Sequence, residues 1–213
     1  PFVDLMLKNY DLRHTYLECS ETDLVDLLYS VVDAKDLPGM ADVDASLLYF
    51  CSLVAKYNKV ALTGECSDEI FGGYPWFYKD ELLNVKGFPW SRDLSMRTAF
   101  LAPDFVAELQ LQEYVNDRYR DTVKSVPTLA NETPAAAKHR EITYLNIVWF
   151  MQTLLDRMDR MSMFCGLEAR VPYADHRIVE YVFNVPWGMK YRNNVAKSLL
   201  RESCKDLLPE PIL

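Results

Sequence analysis

The chain has 213 residues, of which 50% are hydrophobic, 25% charged and 13% aromatic. That composition describes a globular protein with one sizeable core and excludes a disordered or low-complexity segment. A formal net charge of −8 excludes general nucleic-acid and anionic-membrane binding, because phosphates are repelled at long range. One nucleotide remains admissible where backbone N–H groups and a metal override the global field.

In chain order, the dense apolar positions of Phe2 to Asn9 read as the end of a helix, and Leu12 to Leu17 as a short strand. Glu21-Thr22-Asp23 opens a helix with Leu24, Leu27, Leu28, Val31 and Val32 at helical spacing, stopped by Pro38-Gly39. The spacing of Leu47, Leu48, Cys51 and Val54 predicts a second helix over Asp44 to Tyr57. Lys59-Val60-Ala61-Leu62-Thr63, followed at once by Gly64, has the shape of a buried strand entering a loop. Tryptophans, prolines and glycines make Gly72 to Trp90 an irregular stretch, and Pro103 suits the first position of a further helix. The strongest helix is predicted from Pro134 to about Met161, with Leu154, Met158 and Met161 on its apolar stripe. A short helix over Arg177 to Phe183, capped by Asp175, follows. A last one holds Val195, Leu199, Leu200, Cys204 and Leu207, with Lys197 read as a solvated helix lysine. A buried strand at Val60 needs neighbours for its backbone groups, and the sequence does not obviously supply them, which points to truncation.

The five cysteines are odd in number and dispersed, so neither a disulfide framework nor a zinc ribbon is expected, and a reducing cytosol fits. His14, His139 and His176 are scattered and read as surface or helix-end residues. No window approaches the ~18 apolar residues of a membrane span, and no basic leader with an apolar core is present.

The chemistry concentrates in Ala61-Leu62-Thr63-Gly64-Glu65-Cys66-Ser67-Asp68-Glu69-Ile70-Phe71-Gly72-Gly73-Tyr74. In open α/β sheets ligands bind at the carboxyl ends of strands. Here that end carries a glycine and then Glu65, Asp68 and Glu69. Clustered carboxylates repel one another unless a cation holds them, and Mg²⁺ bound through one or two carboxylates plus substrate phosphates is one reading. An acidic helix N-terminus that merely complements the helix dipole is the other. Residues alone leave both open.

The run Gly64-Glu65-Cys66-Ser67-Asp68-Glu69-Ile70-Phe71-Gly72-Gly73-Tyr74 resembles the signature of the asparagine synthetase family. So do Asp36-Leu37-Pro38-Gly39-Met40-Ala41-Asp42, Asp156 to Met163, and Gly166 to Asp175. The resemblance covers essentially the whole chain. It implies an α/β fold: a helix-rich fragment of an adenine nucleotide alpha-hydrolase-like (ATP-pyrophosphatase) synthetase domain with a partial parallel sheet. It further implies that Thr63 and Gly64 contact ATP, that Asp68 holds Mg²⁺ with pyrophosphate, and that Glu65 is catalytic, beside aspartate and its adenylate. Glu69 and Arg170 are implied as support for the site. The substrates implied are aspartate, ATP and ammonia from glutamine, with ATP and Mg²⁺ as cofactors and a cytoplasmic location.

The chain departs from the family pattern in three ways. It contains no Ser-Gly-Gly-x-Asp-Ser pyrophosphate loop, its only Gly-Gly being Gly72-Gly73. The resemblance also places the family's catalytic lysine beyond Leu213 and its glutaminase domain before Pro1. Residues 1–213 are therefore expected to be a partial synthetase domain, inactive alone, with exposed apolar surface that favours self-association into a homo-oligomer. Arg157 and Arg170 read equally as ion-pair residues, and Asp156 with Arg160 as an ordinary i, i+4 helix pair. Two rivals stand: a β-lactam synthetase-like ligase that adenylates a different carboxylate, and a non-catalytic interaction domain.

Overall fold

The computed structural model describes residues 2–213, and most of them are helical, as the apolar spacing predicts. Helices α1 (Phe2–Asn9), α2 (Glu21–Asp26), α3 (Leu28–Lys35) and α4 (Ala41–Val54) precede strand β1 (Val60–Leu62) and the short α5 (Ser67–Phe71). After a 3₁₀ turn at Pro75–Phe77 come α6 (Asp80–Leu83), α7 (Ser95–Thr98), α8 (Pro103–Leu109), α9 (Leu111–Lys124) and α10 (Pro134–Leu145). A π-helical segment, Asn146–Met151, joins α10 to α11 (Gln152–Phe164). Strand β2 (Glu168–Arg170), a 3₁₀ turn at Pro172–Ala174, α12 (His176–Phe183), α13 (Trp187–Lys190) and α14 (Ser198–Ser203) complete the chain.

Local chemistry accounts for the helix ends. Ser20 and Asp23 form a reciprocal capping box, each side chain receiving the other's backbone N–H. Helix α3 ends at Asp36 in the left-handed region, φ 64°, just before the Pro38-Gly39 stop. Helix α4 begins one turn earlier than predicted because the buried Asp44 carboxylate accepts the Met40 N–H (2.9 Å) and faces the Lys35 ammonium (3.4 Å). Thr133 caps α10 by accepting the Ala136 N–H, with Pro134 at the first position. Asp175 caps α12 through the Arg177 N–H.

Three expectations are corrected. Leu12 to Leu17 is irregular: its Leu12, Tyr16 and Leu17 side chains are exposed, so no half-buried face selects a strand. Strand β1 is not buried, since Val60 is 40% and Leu62 73% exposed and only Ala61 turns inward. The chain does supply it one neighbour. β2 pairs with β1 in parallel, with Val60 opposite Glu168, Ala61 opposite Ala169 and Leu62 opposite Arg170. Glu-Ala-Arg carries neither a β-branched nor an aromatic residue, so propensity gives no sign of a strand there. The last predicted helix shrinks to α14, because Asn193, Asn194 and Lys197 all have left-handed φ (54°, 61° and 56°).

The parallel pair is joined by everything from Thr63 to Leu167, a long helical crossover of the kind parallel strands require. The core has three parts. Cys66, Ile70, Phe71, Met151 and Val182 form one beside the strand end. Phe77, Leu83, Phe88, Ile142 and Leu145 form the second, walled by Trp76, Trp90, Trp149 and Trp187. Val31, Ala45, Leu48 and Met161 form the third, between α3, α4 and α11. The helix running from Pro134 to Phe164 thus feeds all three. The tryptophan-rich stretch read as irregular is largely so, but its rings build the second core.

Candidate active site

The β1–β2 ladder extends one residue past β1, where the Thr63 N–H donates to the Arg170 carbonyl at 2.9 Å. The chain then turns through the exposed Gly64 to Cys66, whose φ of 70° is left-handed, and enters α5. A non-glycine residue there costs on the order of 1 kcal/mol. The Cys66 side chain is anchored in the first core, and burial pushes its thiol up to about 12. Gly72, φ 75°, closes α5. A side chain at Gly72 would collide with the Trp187 ring, and one at Gly73 with Asp68 Oδ1, so this Gly-Gly packs as backbone against neighbours.

This tight turn sends its three carboxylates in three directions. Glu69 points inward: it is 1% exposed and accepts the Tyr74 hydroxyl at 2.5 Å. Burial raises its carboxyl above the usual range, only partly offset by the Tyr74 hydrogen bond. Asp68 points outward, and its Oδ1 lies 2.9 Å from the Lys197 ammonium. Lys197 is therefore not a solvated helix lysine; it stands at the N-cap of α14 with its side chain only 25% exposed. Glu65 points between them, its Oε1 3.8 Å from Arg157 Nη2 on α11.

That last pair is long for a salt bridge and incompletely satisfied. Glu65 Oε2, Arg157 Nε and the neighbouring Thr63 Oγ1 are all buried with no hydrogen-bond partner among the described residues. Burial raises the Glu65 carboxyl; Arg157 pulls it back in part and Glu69 adds to the rise. Orphaned buried polar atoms are rare in folded proteins and call for a partner. Three of them at one strand end mark a place where a polar ligand fits.

Of the residues singled out in the sequence, Thr63, Gly64, Glu65 and Asp68 lie together on this turn. Glu69 belongs to the same turn but is spent on Tyr74. Arg170 lies on β2 with its Nε donating to Glu168 (2.8 Å), and both side chains are mostly exposed. The guanidinium that reaches Glu65 is that of Arg157. Asp156 and Arg160 form the expected pair at 2.9 Å, and Arg160 also reaches Asp36 at 2.8 Å, tying α11 to the end of α3. Lys197 was legible only indirectly: Asn193-Asn194 signals a left-handed turn that delays the helix.

A parallel strand end that turns straight into a carboxylate-bearing loop, within a helix-rich chain, is the arrangement of an α/β protein. The chain belongs to the asparagine synthase family, whose model matches residues 1–213. It is 48% identical over 213 residues to asparagine synthetase [glutamine-hydrolyzing] 3 of Bacillus subtilis (strain 168), covering 100% of the chain and 34% of that protein. It is 29% identical over 207 residues to asparagine synthetase [glutamine-hydrolyzing] 1 of the same strain, covering 82% of the chain and 32% of that protein. The Mus musculus asparagine synthetase [glutamine-hydrolyzing] is 37% identical over 84 residues, covering 38% of the chain and 15% of that protein. The chain spans about a third of the length of the two Bacillus relatives. No helix among the described residues is long and apolar enough to cross a membrane.

Proposed function

We propose that the protein containing this chain makes asparagine from aspartate, ATP and glutamine-derived ammonia, on an adenine nucleotide alpha-hydrolase-like scaffold. The observation that carries this reading is the trio of orphaned buried groups, Thr63 Oγ1, Glu65 Oε2 and Arg157 Nε, around the open backbone at Gly64. A purely structural domain has no use for them. The names of the relatives favour aspartate over the carboxylates of a β-lactam synthetase-like ligase.

The reaction has two bond exchanges. A β-carboxylate oxygen of aspartate bonds to the α-phosphorus of ATP as pyrophosphate leaves. The ammonia nitrogen then bonds to the acyl carbon of β-aspartyl-AMP as AMP leaves with the bonding pair. Thr63 and the exposed Gly64 backbone receive the nucleotide at the strand end. Glu65 orients ammonia and takes its proton, a task suited to a carboxyl that burial holds above its usual range. Arg157 keeps Glu65 aimed into the crevice. Asp68 is the one carboxylate placed to hold Mg²⁺, which fits an ion that binds through one or two carboxylates plus substrate phosphates. Mg²⁺ would supply charge neutralisation at the leaving pyrophosphate. The Lys197 ammonium beside Asp68 is a second cation for the same phosphates.

No phosphate-cradling Ser-Gly-Gly-x-Asp-Ser loop occurs in these residues. We place that loop, the glutaminase domain and a further lysine elsewhere in the whole protein. Residues 1–213 alone should then form no asparagine. The test is to incubate the whole protein with ATP, aspartate and either glutamine or ammonium, and to assay asparagine, AMP and pyrophosphate. Absence of aspartate-dependent AMP formation under both conditions would sink the reading.

A further inference from the structure

Lys190, at the end of α13, is only 3% exposed. Among the described residues no carboxylate pairs with it, and the charged group that acts on it is another cation, Arg140. Arg140 is itself buried, 9% exposed, and uses up the one nearby carboxylate: its Nε donates to both Glu132 oxygens at 2.9 and 3.2 Å. Its Nη1 donates to Asn184 Oδ1 at 3.3 Å, and its guanidinium lies 5.2 Å from the Phe183 ring centre. Burial and Arg140 lower the Lys190 ammonium to about 8, so it still carries its charge at neutral pH. Arg140 thus holds the Glu132 carboxylate while Lys190 pairs with none, and a lone charge on so nearly buried a side chain is costly.

Both cations line one cavity of about 190 Å³, between α10 and the Phe183–Lys190 segment. The rest of its wall is mixed: Leu129, Phe183, Pro186 and Trp187 are apolar, and Glu132, His139, Thr143 and Asn184 are polar. None of its lining residues belongs to the Thr63–Gly73 turn. A hollow with an apolar side and two cations for one carboxylate carries one excess positive charge, and suits a ligand with one negative charge and a hydrocarbon tail. A cavity of roughly 150 Å³ is enough for benzene. We propose that this pocket binds a small organic monocarboxylate, its carboxylate on the Lys190 ammonium beside Arg140 and its tail against Phe183 and Pro186. A dianionic phosphate would overcompensate the single excess charge and leave the apolar walls unused.

The probe is sodium butyrate, titrated calorimetrically into the whole protein, with butyramide and inorganic phosphate as parallel arms. Butyrate should bind saturably, its uncharged isostere butyramide should not, and phosphate should bind more weakly. Lys190→Met, which keeps the chain length and removes the charge, should weaken butyrate binding about tenfold or more, the size of one charge-assisted hydrogen bond. Lys190→Arg should retain most of it. Without butyrate Lys190→Met should also melt at a higher temperature than the unaltered protein, since it buries no lone charge. Lys190→Gln serves the same purpose where the Met variant does not fold. The proposal is overturned by equal binding of butyramide, by phosphate binding tighter than butyrate, by undiminished butyrate binding in a folded Lys190 variant, or by no saturable binding of butyrate.

Discussion

Glu65 and Glu69 lie one helical turn apart in sequence, are both raised above the ordinary carboxyl range by burial, and differ in almost everything else. Glu69 has a short hydrogen bond from Tyr74 and a place in the interior. Glu65 has a distant guanidinium and an oxygen with nothing on it. Full burial with a satisfied carboxylate marks a residue held for the fold; partial burial with an orphaned oxygen marks the one we propose for a ligand. Asp68, between them in sequence, points outward to Lys197 and is the member we propose for the phosphate-bound ion.

The largest effect is expected at Asp68. In the whole protein Asp68→Asn should reduce aspartate-dependent pyrophosphate release by roughly a thousandfold, as for loss of a main electrostatic stabiliser, with glutaminase turnover retained. Pyrophosphate release near the unaltered rate would remove Asp68 from the site. Next, Glu65→Ala should slow asparagine formation by about a hundredfold, in the range of a general acid–base contribution, with little change in melting temperature. A steep fall in melting temperature with unchanged turnover per folded molecule would make Glu65 structural and erase its contrast with Glu69.

Glu69→Ala should do the reverse. It strands the buried Tyr74 hydroxyl and should cost roughly 2 kcal/mol of stability by denaturant titration. Glu69→Gln, which keeps an acceptor, should recover most of that loss. The smallest effect is in the pH profile. A carboxyl whose folded pKa is raised binds its proton more tightly in the folded than in the unfolded chain. Its stabilising contribution is complete below the ordinary glutamate value of about 4.3 and is lost as pH climbs through the raised value. The unaltered protein should therefore gain stability relative to Glu65→Gln on acidification from neutrality to below that value. A pH-independent difference between the two would show that Glu65 is not raised.

The sequence reveals the acidic turn because its elements are local: a short apolar run, a glycine and three carboxylates within ten residues. Helix existence was equally local, and the cap at Asp175 and the helix start at Pro134 could be read directly. What could not be read depends on long-range placement. β2 carries no strand propensity and exists only because β1 needs a partner. Arg157 and Arg170 are indistinguishable in sequence, and only the packing of α11 against the strand end gives Arg157 the contact with Glu65. Lys197 reaches Asp68 because a left-handed Asn-Asn turn displaces it from the helix on which periodicity had put it. Lys190, one of eleven ordinary-looking lysines, acquires meaning only from burial next to Arg140.

The π-helical stretch at Asn146–Met151 acts as a phase adjuster in the long helix. A π turn holds one more residue than an α turn. Deleting a single residue there would restore a regular helix without disturbing its composition. The extra residue is what the π segment absorbs, so everything downstream would keep nearly its present phase and rise relative to the upstream half. Ile142 and Leu145 would keep their seats in the aromatic core, and Met161 its seat in the third. Arg157 would still face Glu65, and Arg160 Asp36. Loss of one residue from the regular α turns on either side, with the π segment intact, would instead turn one half of the helix by about 100° against the other. An in-frame loss of one codon is thus better absorbed inside this stretch than anywhere else in the helix, because only here does it leave the two ends synchronised.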